Sequence, residues 1–207
     1  MTVDPFGFCW LEKDKLVEVP TEVALRVLYQ IIWFVGASSN PPRLETLERL
    51  WLSAIDRAQS PSFTLSGCQI LVHREKLLIC RERRGLGKSI PIAQGSWQRW
   101  DKRFDIFVIN ASSFCPPNKH VISSLGRKGL NLIMKKRRMH KRLGALDLPH
   151  AVWVSLPALW DNEQPVHVPH LNYCCNRGDK RLLAEYSPNM SLFSGRFSVV
   201  SAETSPI

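Results

Sequence analysis

The sequence lacks the loops and clusters with which many enzymes hold nucleotides or metals. It contains neither Gly-x-x-x-x-Gly-Lys-Ser/Thr nor Gly-x-Gly-x-x-Gly, the runs that cradle phosphates. The short run Gly85–Lys88 follows a basic turn without a strand–loop–helix context, and we interpret it as a plain loop. The six cysteines and six histidines show no zinc-ligand spacing. We therefore expect no catalytic residue, no cofactor site and no metal site in this chain.

Long apolar runs are also absent. The longest, near Ile31–Val35, is far too short to cross a bilayer. The first residues, Met1–Trp10, lack the basic start and apolar stretch of a signal peptide. These absences predict a cytoplasmic protein with reduced thiols and no membrane contact.

Acidic residues are few relative to basic ones. The chain has 28 Lys and Arg against 18 Asp and Glu, for a net charge of +10. Such an excess concentrates polyanions around a protein, so nucleic acid is the leading class of partner. The alternative is a protein that is basic without a polyanionic ligand, and only the distribution of the charge can separate the two.

The positive charge is concentrated in one stretch. From Ile106 to Leu146 there is no acidic residue, and nine cations occur there. Leu130, Ile133 and Met134 give this stretch an apolar side, which predicts a short helix with its cations outward. Phosphate contact is favoured because nothing nearby in the sequence neutralises the field. Besides Lys119, the cations are our predicted nucleic-acid-binding residues: Arg127, Lys128, Lys135, Lys136, Arg137, Arg138, Lys141 and Arg142.

The first 88 residues combine helical and strand periodicity. After an introductory segment over residues 1–17, apolar spacing predicts a helix from Thr21 to Gly36. A second helix is predicted after an Asn40 cap and Pro41, which makes a helical hairpin. Short β-rich runs follow at residues 63–65, 67–72 and 76–81, and we interpret Arg81–Lys88 as a linker or exposed loop.

The second unit begins near Ile90. Apolar and polar residues alternate over residues 103–109, which predicts a half-buried strand. Residues 151–156 and 166–168 are predicted to pair as strands across a turn at Asp161–Glu163. The tryptophans Trp97 and Trp100 suit either base stacking or core packing, and we favour packing. The fold class is therefore α+β: a helical hairpin with a small β element, then a compact mixed α/β domain. We place the units at residues 1–88 and 89–175, with a loosely ordered tail over 176–207.

Several motifs, in order, resemble a known family. They lie in the hairpin, in the β-rich runs and in the second unit: Leu25–Leu28 with Pro41–Leu50, Phe63–Cys68 with Leu77–Glu82, and Trp100–Phe104 with Leu156–Asp161 and Val168–Leu171. Together with Asp4–Phe8, these motifs resemble the C-terminal half of bacterial tRNA(Ile)-lysidine synthases, particularly those of alphaproteobacteria. The resemblance extends from about Asp4 to Tyr173. It implies that residues 1–88 correspond to a middle, substrate-binding domain and residues 89–175 to a C-terminal tRNA-binding domain.

The resemblance implies an ATP-dependent, tRNA-modifying carbon–nitrogen ligase. Such enzymes adenylate a cytidine of the tRNA(Ile) anticodon and attach lysine to it, so ATP and lysine are substrates of the complete enzyme. Their catalytic half carries a Ser-Gly-Gly-x-Asp-Ser loop, which this sequence does not contain. We therefore expect a split or truncated tRNA-binding portion that is inactive alone, with tRNA(Ile) and a separately encoded catalytic half as partners. Two alternatives stay open, a stand-alone basic nucleic-acid-binding module and an inactive remnant.

Overall fold

The computed structural model describes residues 2–55, 62–73, 75–92, 95–108, 120–175 and 182–188. These residues form six α-helices and three antiparallel sheets, which confirms the predicted α+β class. None of the helices in these ranges is long and apolar enough to cross a membrane.

The first sheet has five strands in the order β1-β2-β5-β4-β3. Their bounds are β1 Thr2–Asp4, β2 Phe8–Glu12, β3 Ser62–Leu65, β4 Cys68–His73 and β5 Lys76–Arg81. The three predicted β-rich runs are confirmed as β3, β4 and β5. The interpretation of residues 1–17 as an introductory segment is wrong, because they supply β1, β2 and the short helix α1 (Lys13–Val17). Since β2 lies between β1 and β5, the sheet is larger than the predicted small β element.

The helical hairpin is confirmed as α2 (Thr21–Gly36) and α3 (Leu44–Ile55). The second helix begins later than the Asn40 cap predicted. Pro42 disfavours a helical conformation at the preceding Pro41, and the Asn40 N–H donates to Ser38 Oγ at 3.2 Å. The helix begins at Leu44, two residues after the second proline.

The hairpin packs its apolar face on the first sheet. Leu28, Ile32, Leu47, Ile70 and Ile79 meet there and are at most 1% exposed. Burying an aliphatic side chain of this size contributes about 1.5–3 kcal/mol relative to leaving it in water. This core fixes the position of the turn that follows β5.

The second half contains two further sheets. The second sheet has the order β12-β11-β10-β9-β6 and the third has the order β13-β8-β7. The strands are β6 Ile90–Pro91, β7 Trp97–Trp100, β8 Phe104–Val108, β9 His120–Ser124, β10 Pro157–Asp161, β11 Gln164–Val168, β12 Tyr173–Cys174 and β13 Leu182–Tyr186. The predicted strand over 103–109 is confirmed as β8, with residue 109 outside the described ranges. The tail expected to be loosely ordered contributes β13, and residues 176–181 and 189–207 lie outside those ranges.

One predicted strand is wrong. Residues His150–Val154 form helix α6, and β11 pairs with β10 and β12. The apolar run of this segment has no alternation, so its sequence does not distinguish a buried strand from a buried helix. The turn at Asp161–Glu163 is confirmed as the β10–β11 connection, where Asn162 takes a φ of 50°.

The tryptophans divide between core and surface. Trp100 is 1% exposed, which confirms the packing role expected for it, and Trp153 is also buried, at 4% exposure. Trp97 is 53% exposed and lies against the ring of Phe107, with 5.4 Å between centroids. The aromatic pair of β7 therefore has one side chain in the core and one on the surface.

Arg81–Lys88 is more than a linker. Arg81 is only 7% exposed, and Arg83–Gly85 form a 3-10 turn directly after β5. The division of the chain at residue 88 stays a prediction.

Candidate nucleic-acid interface

The predicted cationic stretch folds as two helices, α4 (Gly126–Met134) and α5 (Arg137–Leu146). In α4, Leu130 and Ile133 are buried against the second unit, as their helical spacing predicted. Gly129 allows this close packing, because a Cβ there would stand 2.8 Å from the ring of Trp160. The polar side of α4 is left facing outward.

Helix α5 is anchored by two apolar side chains one turn apart. Met139 and Leu143 are each 5% exposed, and the cations of the helix lie on its other sides. All eight predicted nucleic-acid-binding residues have exposed side chains: Arg127, Lys128, Lys135, Lys136, Arg137, Arg138, Lys141 and Arg142. Lys119 lies outside the described ranges. We call these eight residues the cationic face.

Two members of the cationic face have partners. Lys128 Nζ lies 3.0 Å from Glu163 Oε1, in an ion pair between exposed side chains. Lys136 Nζ donates to the Tyr173 hydroxyl at 2.8 Å and lies 4.7 Å from the centre of that ring. The tertiary fold thus brings one acid into a region whose sequence has none. Within the described part of the chain, the other six cations form no ion pair.

Four of the cations lie in the first turns of helices, where they oppose the helix dipole. Arg127 and Lys128 are in the first turn of α4, Arg137 and Arg138 are in the first turn of α5, and neither turn holds an acid. Positive charge at a helix N-terminus costs about 0.3–1 kcal/mol. A bound anion would offset this cost, because its charge is favourable toward both the side chains and the dipole. The arrangement therefore suits a phosphate-bearing ligand better than it suits the stability of the free protein.

A second group of arginines was missed by the sequence analysis. Arg83 and Arg84, in the 3-10 turn after β5, line a cleft of about 570 Å³ whose other wall includes Arg127 and His150. We call these four residues the arginine cleft. The sequence signal for this group is the adjacent arginine pair, which lies in the predicted linker or loop Arg81–Lys88.

Among the described residues, no group of three or more His, Cys, Asp or Glu side chains is placed to hold a metal ion. Cys9, Cys68 and Cys80 are buried and form no disulfide, and Cys115 lies outside the described ranges. Burial raises the pKa of the Cys80 thiol to about 12, so this group stays protonated at neutral pH.

The chain matches no family model. It is similar to several curated proteins named tRNA(Ile)-lysidine synthase. The protein from Wolbachia pipientis wMel is 23% identical over 180 residues, which is 84% of this chain and 38% of that protein. The protein from Ruegeria pomeroyi is 26% identical over 165 residues, or 79% of this chain and 34% of its own length. The protein from Rickettsia rickettsii (strain Sheila Smith) is 26% identical over 176 residues, or 83% and 35%.

The chain thus spans 34–38% of the length of these curated relatives. The resemblance stated from the motifs is confirmed at this level, and the short span is consistent with a match to the C-terminal portion.

Proposed function

From the premise that this chain is a relative of the tRNA(Ile)-lysidine synthases, we propose that it is their tRNA-binding C-terminal portion. Its substrate is tRNA(Ile), held through phosphates by the cationic face. In the complete enzyme, ATP and lysine are the other substrates, and the lysine is joined to the anticodon cytidine. The reaction would take place in the cytoplasm.

The exposed and largely unpaired charge of the cationic face carries the proposal. Six of its side chains form no ion pair among the described residues, and those in the first turns of α4 and α5 oppose the helix dipoles. An A-form RNA stem presents a regular array of phosphates and is recognised mainly by shape and backbone position. Cations on two packed helices can follow such an array without reading bases.

The contribution of this portion to the reaction is binding energy and position. Neutralising phosphates releases counterions, and this supplies sequence-independent affinity. The bound tRNA body then presents its anticodon to the half of the enzyme that carries the Ser-Gly-Gly-x-Asp-Ser loop. The cationic face therefore acts on substrate placement and takes no chemical step.

A salt titration of tRNA binding tests the proposal. The variant Lys135→Gln/Arg137→Gln/Arg138→Gln/Lys141→Gln, called the α5 variant because three of its four sites lie in α5, removes four exposed cations and leaves the partnered Lys128 and Lys136 in place. It should weaken binding and lower the slope of log affinity against log salt by roughly three units, at about 0.7–0.9 per phosphate contact. The loss should be similar for cognate and non-cognate tRNAs, because phosphate contacts do not read sequence.

A matched control removes the same charge from elsewhere on the surface. Arg43, Arg49, Lys76 and Lys88 are exposed and lie outside the cationic face. Their replacement by Gln should leave most of the affinity and the slope intact. Equal losses in both variants would show that only net charge matters and would favour the stand-alone basic module. Unchanged binding in a folded α5 variant would refute the site.

A further inference from the structure

The arginine cleft joins the two halves of the chain at a point outside α5. Arg83 and Arg84 follow strand β5 of the first sheet, whereas Arg127 opens α4 and His150 opens α6. Thr64 and Gln69, which face each other across β3 and β4, line the cleft from the side of the first sheet. The cleft therefore combines positive charge from two sequence-distant elements with neutral donors from a third.

The 3-10 turn that carries Arg83 and Arg84 is anchored by the buried side chain of Arg81. Arg81 donates through its guanidinium to the carbonyl of Gly85, at the end of the turn, and is itself bound to Asp101. Because this anchor is buried, Arg83 and Arg84 project from a fixed base. A turn whose backbone is held in this way loses little further backbone entropy when a ligand binds.

The arginine cleft keeps a net positive charge. In the described ranges, Arg83, Arg84 and Arg127 form no ion pair, and Glu82 is the one acid among the lining residues. No side chain caps the N-terminus of α4, beside which Arg127 lies. Guanidinium groups and free helix N–H groups are both donors suited to phosphate oxygens.

His150 supports the same assignment. Burial and the neighbouring charge of Arg127 lower the pKa of the imidazole from its ordinary value of 6.5. At neutral pH the ring is therefore uncharged and can donate a single N–H. An anion bound beside Arg127 would reverse the second effect, so His150 is a natural reporter of occupancy.

We propose that the arginine cleft binds a backbone phosphate of the RNA, with Arg83 and Arg84 on one wall and Arg127 on the other as donors. The inference rests on the proposed function and extends the RNA path from the cationic face onto the turn after β5. The shared chemistry, a phosphate group, is also that of a small free phosphate, and the experiment separates these two sources.

The test is a double-variant cycle on tRNA(Ile) binding measured by fluorescence anisotropy. Arg83→Gln/Arg84→Gln and Arg127→Gln should each weaken binding by roughly tenfold or more, as expected for lost charge-assisted hydrogen bonds. If both walls hold one phosphate, the combined variant should lose less than the product of the separate losses. The variant Arg43→Gln/Arg49→Gln removes the same charge as the Arg83/Arg84 pair from exposed positions just before and within α3, and it should bind as the parent does.

Each outcome decides a separate point. Loss of binding in the α5 variant with full binding in the cleft variants would overturn the inference and leave the proposed function standing. A parent chain that binds no RNA would overturn both. His150 resonances should shift in NMR spectra when tRNA is added. A shift with inorganic pyrophosphate and none with tRNA would mean that the cleft takes a free phosphate, and the RNA assignment would be wrong.

Discussion

Arg81 and Asp101 form a two-point ion pair in the interior of the protein. Arg81 Nε donates to Asp101 Oδ2 at 3.1 Å, and its Nη2 donates to Oδ1 at 3.0 Å. The side chains are 8% and 1% exposed, so water screens the pair very little. The same carboxylate accepts from Arg103 Nε at 2.7 Å and from the Gly87 N–H at 2.8 Å. One carboxylate thus holds two buried guanidinium groups.

The position of Asp101 links distant parts of the chain. Arg81 also donates to the carbonyl of Gly36, at the C-terminal end of α2, and to the carbonyl of Gly67, in the β3–β4 turn. Burial lowers the pKa of Arg103, and the charge of Asp101 opposes this effect, which keeps the buried guanidinium ionised. The network therefore depends on a single negative charge.

Asp101→Asn should destabilise the protein by about 3–5 kcal/mol, the usual cost of leaving a buried charge without its partner. The substitution isolates the charge, because Asp101 has a φ of 52° and Asn adopts this region as readily as Asp does. Denaturant unfolding measures the effect. Asp105→Asn is the matched control, since its pair with Arg99 is about one-third exposed and should cost about 1 kcal/mol or less. Similar losses in the two variants would contradict the central role of Asp101.

The contrast between Gly36 and Arg81 shows what the sequence could predict. The end of α2 at Gly36 followed from local periodicity, although the left-handed residue is Ala37, with a φ of 48°. Gly36 is needed for a different reason: a Cβ there would stand 2.1 Å from the Ser66 carbonyl oxygen. Contacts of this kind, like the buried pairing of Arg81, join residues far apart in the chain and leave no periodic signal.

The sequence likewise predicts one of the two candidate sites and not the other. The exposure of the cationic face followed from helical spacing, because apolar residues three and four apart fix which side is buried. The arginine cleft did not, since Arg84 and Arg127 line one cleft only through tertiary packing, in which α6 contacts both α4 and β5. The ion pair between Lys128 and Glu163 also joins residues that are far apart in the sequence, so the sequence gives no signal for it.

Gly36→Ala should destabilise the protein by about 1–3 kcal/mol, because the added methyl group overlaps backbone that cannot move aside easily. Gly144→Ala is the opposite case. Its Cβ would meet nothing within 4 Å, and it lies inside helix α5. There alanine should stabilise the protein by roughly 0.5–1 kcal/mol through a smaller loss of backbone entropy. Thermal unfolding of both variants checks the pair, and an equal shift in the same direction would contradict the packing described at Gly36.

The isolated chain should form no lysidine. Its sequence contains no Ser-Gly-Gly-x-Asp-Ser run to hold the phosphates of ATP. The measurement is incorporation of labelled lysine into tRNA(Ile) with an unmodified CAU anticodon, in the presence of ATP. A complete synthase from a relative serves as the positive control. ATP-dependent incorporation by this chain alone would refute the assignment of its role to tRNA binding.

His170 should make stability depend on pH below neutrality. The ring packs edge-on against Phe6 and Phe104, with centroid separations of 5.4 and 5.2 Å. Burial, aided by the charge of Arg103, lowers its pKa from 6.5 to about 4, although a hydrogen bond with the Pro5 carbonyl opposes the change. The folded protein therefore resists a proton that the unfolded chain accepts.

The direction of the effect follows from this difference in proton binding. As the pH falls through 6.5, the unfolded chain gains a proton at His170 and the folded chain does not, so the free energy of unfolding decreases until the pH reaches about 4. Full development of the shift would amount to about 3 kcal/mol. His170→Phe removes the titrating group and keeps an aromatic ring, so the variant should lose less stability than the parent between pH 7 and pH 4.5, pH values that bracket most of the titration. Urea unfolding across this range measures the difference. If the free energy of unfolding of the two proteins has the same pH dependence, folding does not lower the pKa of His170 and the prediction is wrong.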